Sequence, residues 1–299
     1  MEAISNNIQE FMDKLQEKMQ TFSQNLEPTA VNDKDYLCSK CKDQGGFIVR
    51  RKAGETTISM FQGQQIEKTL AYDMDDWQNC ECVKIRRINN LIKSSTITEE
   101  FQKMGFKNFH VEDRPEAIKR MKELAKLYYR NFHSARNERV NSVVFIGQPG
   151  CGKTHLLTAI ANCLMYEHQV PVLYFPFKDG MNSISENDFE NKHKIIQRMK
   201  DVDVLFIDDL FKPIGGRLEF DRDGKPKIIK FQADVIYEVF NYRYLNKLPM
   251  LVSTELTLEE LLLIDEATMS RVFEMAEDYT VTVDKDMSNN YRLRKVMGL

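Results

Sequence analysis

The chain has 299 residues, of which 42% are hydrophobic and 29% charged, with a formal net charge of −3. That length leaves room for about two domains, and the near-neutral balance excludes a protein coated along its length by nucleic acid, so any DNA or RNA contact is confined to a local patch. No apolar run approaches a membrane span and no N-terminal apolar stretch suggests secretion, so a cytoplasmic location without a membrane partner is expected.

Residues 1–26 carry Ile4, Ile8, Phe11, Met12, Leu15, Met19, Phe22 and Leu26. Steps of three and four place these on one face of a helix, which either packs on its own domain or docks a partner. Glu27-Pro28 ends the pattern, and Pro28 to Asp35 reads as a linker.

Cys38-Ser39-Lys40-Cys41 follows, and Cys80-Glu81-Cys82 stands well downstream. Two close pairs of thiolates fit the four positions of a tetrahedral Zn²⁺ site, and with Cys38, Cys41, Cys80 and Cys82 all bound no position stays open for catalysis. Two disulfides or unrelated buried thiols are the alternatives, and six cysteines in all are too few and too unevenly placed for a disulfide framework. Between the pairs, Phe47-Ile48-Val49 and Thr56 to Met60 read as short strands flanking a turn at Gly54. Residues 83–93 are basic (Lys84, Arg86, Arg87, Lys93), forming either a solvated helix face or a phosphate-contacting patch. Ser94 to Thr98 breaks the pattern. It sets the expected boundary between a domain of residues 1–93 and one of residues 94–299.

After Phe101, Phe106 and Phe109, Pro115 opens a long helix with Ile118, Met121, Leu124, Leu127, Tyr128 and Phe132 expected on one side. Val143 to Ile146 is then a β-branched and aromatic strand that stops at Gly147. The run Gly147-Gln148-Pro149-Gly150-Cys151-Gly152-Lys153-Thr154 is the G-x-x-x-x-G-K-[ST] phosphate loop in its strand–loop–helix setting. Glycines let backbone N–H groups turn in around a polyphosphate and the helix N-terminus adds its positive dipole end. Lys153 reaches the outer phosphates and Thr154 holds Mg²⁺. Gly147 to Thr154, with His155, is the expected nucleotide-contacting set. The thiols of Cys151 and Cys163 are expected to pack rather than react.

Val170 to Phe175 is a second strand, and a polar helix is expected over 186–200. Val202 to Ile207 is a third strand ending in Asp208-Asp209. Strand ends on one edge of a parallel sheet converge, so Asp208 is placed to reach the Mg²⁺ that Thr154 ligates, and Asp209 to polarise an attacking water. Residues 211–230 form an insertion around a hairpin-type turn at Asp221 to Pro226, with Leu218 to Phe220 and Ile228-Ile229 as its strands. A helix over 232–246, a strand at Pro249 to Thr254, helices over 256–263 and 266–276, and a strand at Tyr279 to Val283 complete the pattern.

This layout resembles the AAA+ class of ATPases: a five-stranded parallel sheet between helices, in an α/β fold. That resemblance implies a polar sensor at Thr254 or Glu255. It also implies that Arg271, just before the last strand, serves the γ-phosphate of a neighbouring subunit; a helix-surface salt bridge is the alternative for Arg271. The few residues after Val283 imply a truncated lid, with Arg292 or Arg294 in place of a lid-borne arginine. With the four-cysteine module in front, the chain resembles the DnaC/DnaI-type helicase loaders across nearly its whole length. The resemblance implies ATP, Mg²⁺ and Zn²⁺ as cofactors, slow ATP hydrolysis stimulated by assembly or DNA, and self-association through the ATPase domain. Its implied partners are a hexameric replicative DNA helicase, gripped by the N-terminal module, and single-stranded DNA. An ATPase helper of a DNA transposase shares the same core, and a small-molecule phosphotransferase shares the phosphate loop alone.

Overall fold

The computed structural model describes residues 36, 38–61, 64–184, 189–212, 219–222, 226 and 228–293. The helix expected over 1–26, its linker and Arg294 lie outside these residues. Two compact units divide the described chain between Asn89 and Asn90.

In the first unit β1 (Gly46–Arg51) pairs antiparallel with β4 (Met74–Asn79), and β2 (Thr56–Phe61) with β3 (Gln64–Thr69). One register runs through both pairs, from Gly46↔Asn79 to Phe61↔Gln64. The two sheets are therefore successive parts of a single long hairpin. Gly54 is not its turn, as the sequence suggests. With φ at +90° it kinks one arm, where its N–H donates to the Leu70 carbonyl at 2.8 Å and the Leu70 N–H to the Glu55 carbonyl at 2.9 Å. The hairpin's last described pair is Phe61↔Gln64. β4 escapes detection because Met-Asp-Asp-Trp-Gln-Asn lacks an apolar alternation; its ladder and an Arg51–Asp76 ion pair at 2.7 Å hold it. The fold of this hairpin brings distant sequence together. Its open end sets Cys38 and Cys41 beside Cys80 and Cys82, and the Cys80 N–H donates to the Gly45 carbonyl at 2.8 Å.

Helix α1 (Glu81–Ser95) carries the chain into the second unit. There α2 (Glu99–Gln102), capped by the Thr98 hydroxyl, and α3 (Glu116–Ala135), starting after Pro115, lead to β5 (Val143–Gly147). Then follow α4 (Lys153–His168), β6 (Val172–Pro176), α5 (Phe177–Ser183), α6 (Phe189–Asp201), β7 (Val204–Asp208), α7 (Lys230–Leu245), β8 (Met250–Thr254), α8 (Leu258–Met275) and β9 (Thr280–Val283). The two helices expected before the last strand are the halves of α8. Asp265, at φ −158°, interrupts it and restarts it by accepting from the Thr268 N–H at 3.0 Å.

The five strands lie parallel in the order β6-β7-β8-β5-β9. That is the AAA+ arrangement: β8, late in sequence, sits between the phosphate-loop strand and the acidic strand. Alternate side chains serve opposite faces, as strand geometry requires. Val143, Phe145, Val172, Phe206 and Leu251 pack with Met121, Tyr128, Leu156 and Ile160 of α3 and α4. Val144, Ile146, Leu173, Leu205, Ile207 and Val252 pack on the other side with residues of α5 to α8. Burial on both faces explains why these strands read as unbroken apolar runs. At the opposite edge, fully buried Arg243 donates to the carbonyls of Met199, Lys200, Val202, Asp203 and Pro249 at 2.7–3.1 Å. This hub fixes the starts of β7 and β8, and hence the alignment of their C-terminal ends.

Of the expected insertion hairpin, Phe220 pairs with Pro226 in an isolated antiparallel bridge. Leu218 and the turn residues 223–225 lie outside the described residues. Ile228 and Ile229 form no strand; Ile229 is the N-cap of α7. Among the described residues no helix is long and apolar enough to cross a membrane.

Candidate functional site

The C-terminal ends of β5, β7 and β8 open on a cleft of about 310 Å³. Pro149, Gly150, Gly152, Lys153, Thr154 and His155 line it, together with Asp208, Asp209, Lys212, Glu255, Phe109, Arg114, Tyr291 and Arg292. The glycines are required by space as well as by torsion. Gly150 has φ +78°, and a Cβ there would stand 2.1 Å from the Asn290 carboxamide oxygen. Gly152, the N-cap of α4 at φ +107°, would drive a Cβ to 2.4 Å from the Phe109 ring. A backbone held this way, at the N-terminus of a helix, fits a polyphosphate.

Lys153 is 5% exposed and its ammonium donates to the Gly147 carbonyl at 2.6 Å and the Gln148 carbonyl at 3.1 Å. Three members of the expected nucleotide-contacting set, Gly147, Gln148 and Cys151, are not among the residues that line the cleft. The Gln148 carboxamide turns away to clasp the backbone of Asp286, donating to its carbonyl at 2.5 Å and accepting from its N–H at 2.8 Å. The Cys151 thiol is fully buried. Cys163 is buried too, which pushes its thiol well above the ordinary range. His155 lines the cleft, donates from Nε2 to the Gly105 carbonyl (3.0 Å), and is held below the usual imidazole pKa by burial.

The Thr154 hydroxyl donates to Asp208 Oδ1 at 2.8 Å, as the convergence of strand ends predicts. Two further hydroxyls reach the same carboxylate, Ser253 at 2.5 Å and Tyr174 at 3.2 Å. Neither residue belongs to a motif of the sequence. Ser253 was findable, because β8 lies beside β7 and the register Ile207↔Val252 puts the next residues side by side. Burial raises the Asp208 pKa, the Ser253 donor resists, and the charge of Asp209 raises it further. A dication offsets that accumulated negative charge, so the donor set of Thr154 and Asp208 fits Mg²⁺.

Asp209 adopts φ +57°, with its N–H donating to the Ser253 hydroxyl at 2.8 Å. Its carboxylate meets Lys212 Nζ at 2.7 Å, and Lys212 also meets Glu255 at 2.8 Å. Burial opposes the lysine's charge, but the two carboxylates outweigh it and hold its pKa above the ordinary value. Thr254 is not placed at the cleft. Its fully buried hydroxyl donates to the Leu210 carbonyl at 3.0 Å and accepts from the Leu256 N–H at 3.1 Å, while the neighbouring Glu255 lines the cleft. Arg271 also lies outside the cleft's lining. It sits over the Tyr244 ring at 5.7 Å, and its Nη1 has no hydrogen-bond partner among the described residues. Arg292 does line the cleft, beside Tyr291, whose N–H donates to the Gly150 carbonyl at 2.9 Å.

The other site belongs to the first unit. The sulfurs of Cys38, Cys41, Cys80 and Cys82 lie within 4.8 Å of one another, with Cys38···Cys80 at 3.7 Å and Cys41···Cys82 at 3.4 Å. A tetrahedron with Zn–S bonds of about 2.3 Å has edges of about 3.8 Å, whereas a disulfide needs about 2.05 Å, so the tetrad fits zinc. Arg86 supplies a compensating cation, donating to Cys82 Sγ at 3.4 Å and to Asp43 at 2.8 Å. One of the four basic residues of the expected patch is thereby committed to the cysteine module.

Residues 90–215 match a family model described as the bacterial DnaA ATPase domain. The chain is 41% identical to the phage-like element PBSX protein XkdC of Bacillus subtilis (strain 168), over 86% of this chain and 85% of that protein. It is 38% identical to the uncharacterized protein YqaM of the same strain, over 97% and 96% of the two chains. With the replicative helicase loader DnaC of Escherichia coli (strain K12) it shares 25% identity over 74% of this chain and 81% of that one.

Proposed function

We propose that this chain, which belongs to the family of XkdC and YqaM and is a DnaC/DnaI-type AAA+ protein, is an ATP-dependent loader of a hexameric replicative DNA helicase onto single-stranded DNA. The observation that carries this reading is the pairing, in one chain, of a four-cysteine module with an AAA+ cleft in which Lys153, Thr154, Asp208 and Asp209 converge. The fit of the cysteine tetrad supports a structural zinc that staples a helicase-docking module. The cleft supports ATP binding, with Lys153 on the outer phosphates and Thr154 and Asp208 holding Mg²⁺, which neutralises phosphate charge when bound. Asp209 orients the attacking water. Thr254 acts through the turn it holds rather than by touching nucleotide. The docking domain comprises residues 1–93 and the ATPase domain residues 94–299, the latter binding DNA and self-associating.

Arg271 completes the site of a neighbouring copy. The place of Arg271 outside the lining of its own cleft supports that role. Arg271→Ala is expected to leave ATP affinity unchanged and to lower assembly-dependent hydrolysis by about 10³-fold. Steady-state turnover against protein concentration checks this, and an equal loss of ATP affinity would remove the trans assignment. Co-purification with the host's replicative helicase tests the adaptor role. Failure to bind it would overturn the loader reading.

A further inference from the structure

The turn after β7 carries a cation whose role the phosphate-loop chemistry does not cover. Asp209 and Phe211 both adopt left-handed backbone, φ +57° and +52°, within three residues. Neither is glycine, so the surroundings must impose the shape. They do so residue by residue. The Asp209 N–H bonds the Ser253 hydroxyl, the Leu210 N–H the Ser253 carbonyl at 2.8 Å, and the Leu210 carbonyl accepts from Thr254. The Phe211 ring is buried edge-on against Phe177 at 5.2 Å, and the Lys212 N–H closes back on the Asp209 carbonyl at 3.0 Å. The product of this construction is the position of one side chain: Lys212 Nζ in the cleft, bridging Asp209 at 2.7 Å and Glu255 at 2.8 Å.

We propose that Lys212 reads the terminal phosphate of the bound nucleotide, exchanging its contact with Asp209 for a γ-phosphate oxygen. The proposal rests on the ATPase reading above. An ammonium shared by two carboxylates carries less positive charge than the pair carries negative, so a doubly charged phosphate entering the same cleft competes well for it. A diphosphate ends one group short and makes no such claim. The exchange has two results. Lys212 discriminates triphosphate from diphosphate, and Asp209, released from its cation, is left free to accept a hydrogen bond from the attacking water. Before nucleotide arrives the same contact holds Asp209 idle.

Equilibrium binding of ADP and of a non-hydrolysable ATP analogue, each with Mg²⁺, to the full-length chain tests this. Lys212→Met is expected to weaken analogue binding about 10- to 100-fold, the worth of one charge-assisted hydrogen bond, and to leave ADP binding unchanged. Lys212→Arg restores most of the loss. Glu255→Gln removes a competitor for the ammonium and is expected to act in the opposite direction, strengthening analogue binding over ADP; should Lys212→Met fail to fold, this variant decides alone. A Lys212→Met protein that loses both nucleotides equally, or neither, overturns the proposal, as does a Glu255→Gln protein that loses the analogue. Wild-type protein binding neither nucleotide would remove the ATPase reading as well, whereas intact wild-type binding with unaltered discrimination in the variants would remove only the role of Lys212.

Discussion

Lys153→Ala is expected to abolish useful ATP binding while leaving the fold in place. The ammonium is buried on two backbone carbonyls, and among the described residues it makes no ion pair with a carboxylate. Its removal therefore takes a poorly compensated charge out of the interior, and the helix it begins keeps its first turn through the Leu156 N–H bond to the Gly152 carbonyl at 3.1 Å. Stability should change by no more than about 1 kcal/mol. Nucleotide affinity should fall far more. Two charge-assisted bonds to outer phosphates, at about 1.5–3 kcal/mol each, amount to about 10²- to 10⁴-fold. Thermal melting together with nucleotide titration separates the two effects. An unchanged affinity would remove Lys153 from the phosphate site.

The largest loss of structure is expected from the cysteine tetrad. Among the described residues of the hairpin and its cysteine turns, the buried cluster is the four cysteines with Phe47 packed against them, and β4 is almost wholly exposed; Ile85 and Ile88 of α1 are the further buried side chains of this unit. Ile48, Tyr72 and Trp77 contribute little, being 67%, 72% and 52% exposed. A hairpin with so small an apolar core is marginal in water, so the coordination shell is what fastens its open end. Structural zinc contributes about 10–16 kcal/mol in comparable small modules. Chelation, or Cys41→Ser, should therefore unfold residues 38–82. The second unit has its own core on both faces of the sheet and should keep its ATP affinity. Amide exchange across β1 to β4 before and after chelation, with ATP titration on the same samples, measures both. Protection that survives chelation would take zinc out of the account.

The strands and the phosphate loop could be read from the sequence because each is a local signal: an apolar run closed by glycines at Gly147, or by two acids at Asp208. What escaped the reading is tertiary. The polar strand β4 exists through its ladder with β1, and a window of Met74 to Asn79 holds no trace of that partner. Tyr174 and Ser253 join the site because strand order and register bring them to Asp208, and Lys212 because two left-handed residues turn it back. The choice between Thr254 and Glu255 was undecidable in sequence, since one step past a strand end reverses the direction of a side chain. The structure sends Thr254 to the backbone of the turn and Glu255 to the cleft. Ser94 to Thr98 suggested a boundary because the helical pattern stops there. The compact units divide within α1, between Asn89 and Asn90, inside a continuous helix that gives no compositional signal at that point.

The central claim is that a zinc-stapled module couples this ATPase to a replicative helicase. Size-exclusion chromatography with light scattering, on the protein mixed with its host's replicative helicase with and without ATP, tests it most directly. A stable large complex that is lost when residues 1–82 are removed is the predicted result. No complex, with ATP and DNA instead driving this protein alone into a filament or ring, would contradict it and favour an ATPase helper of a DNA transposase.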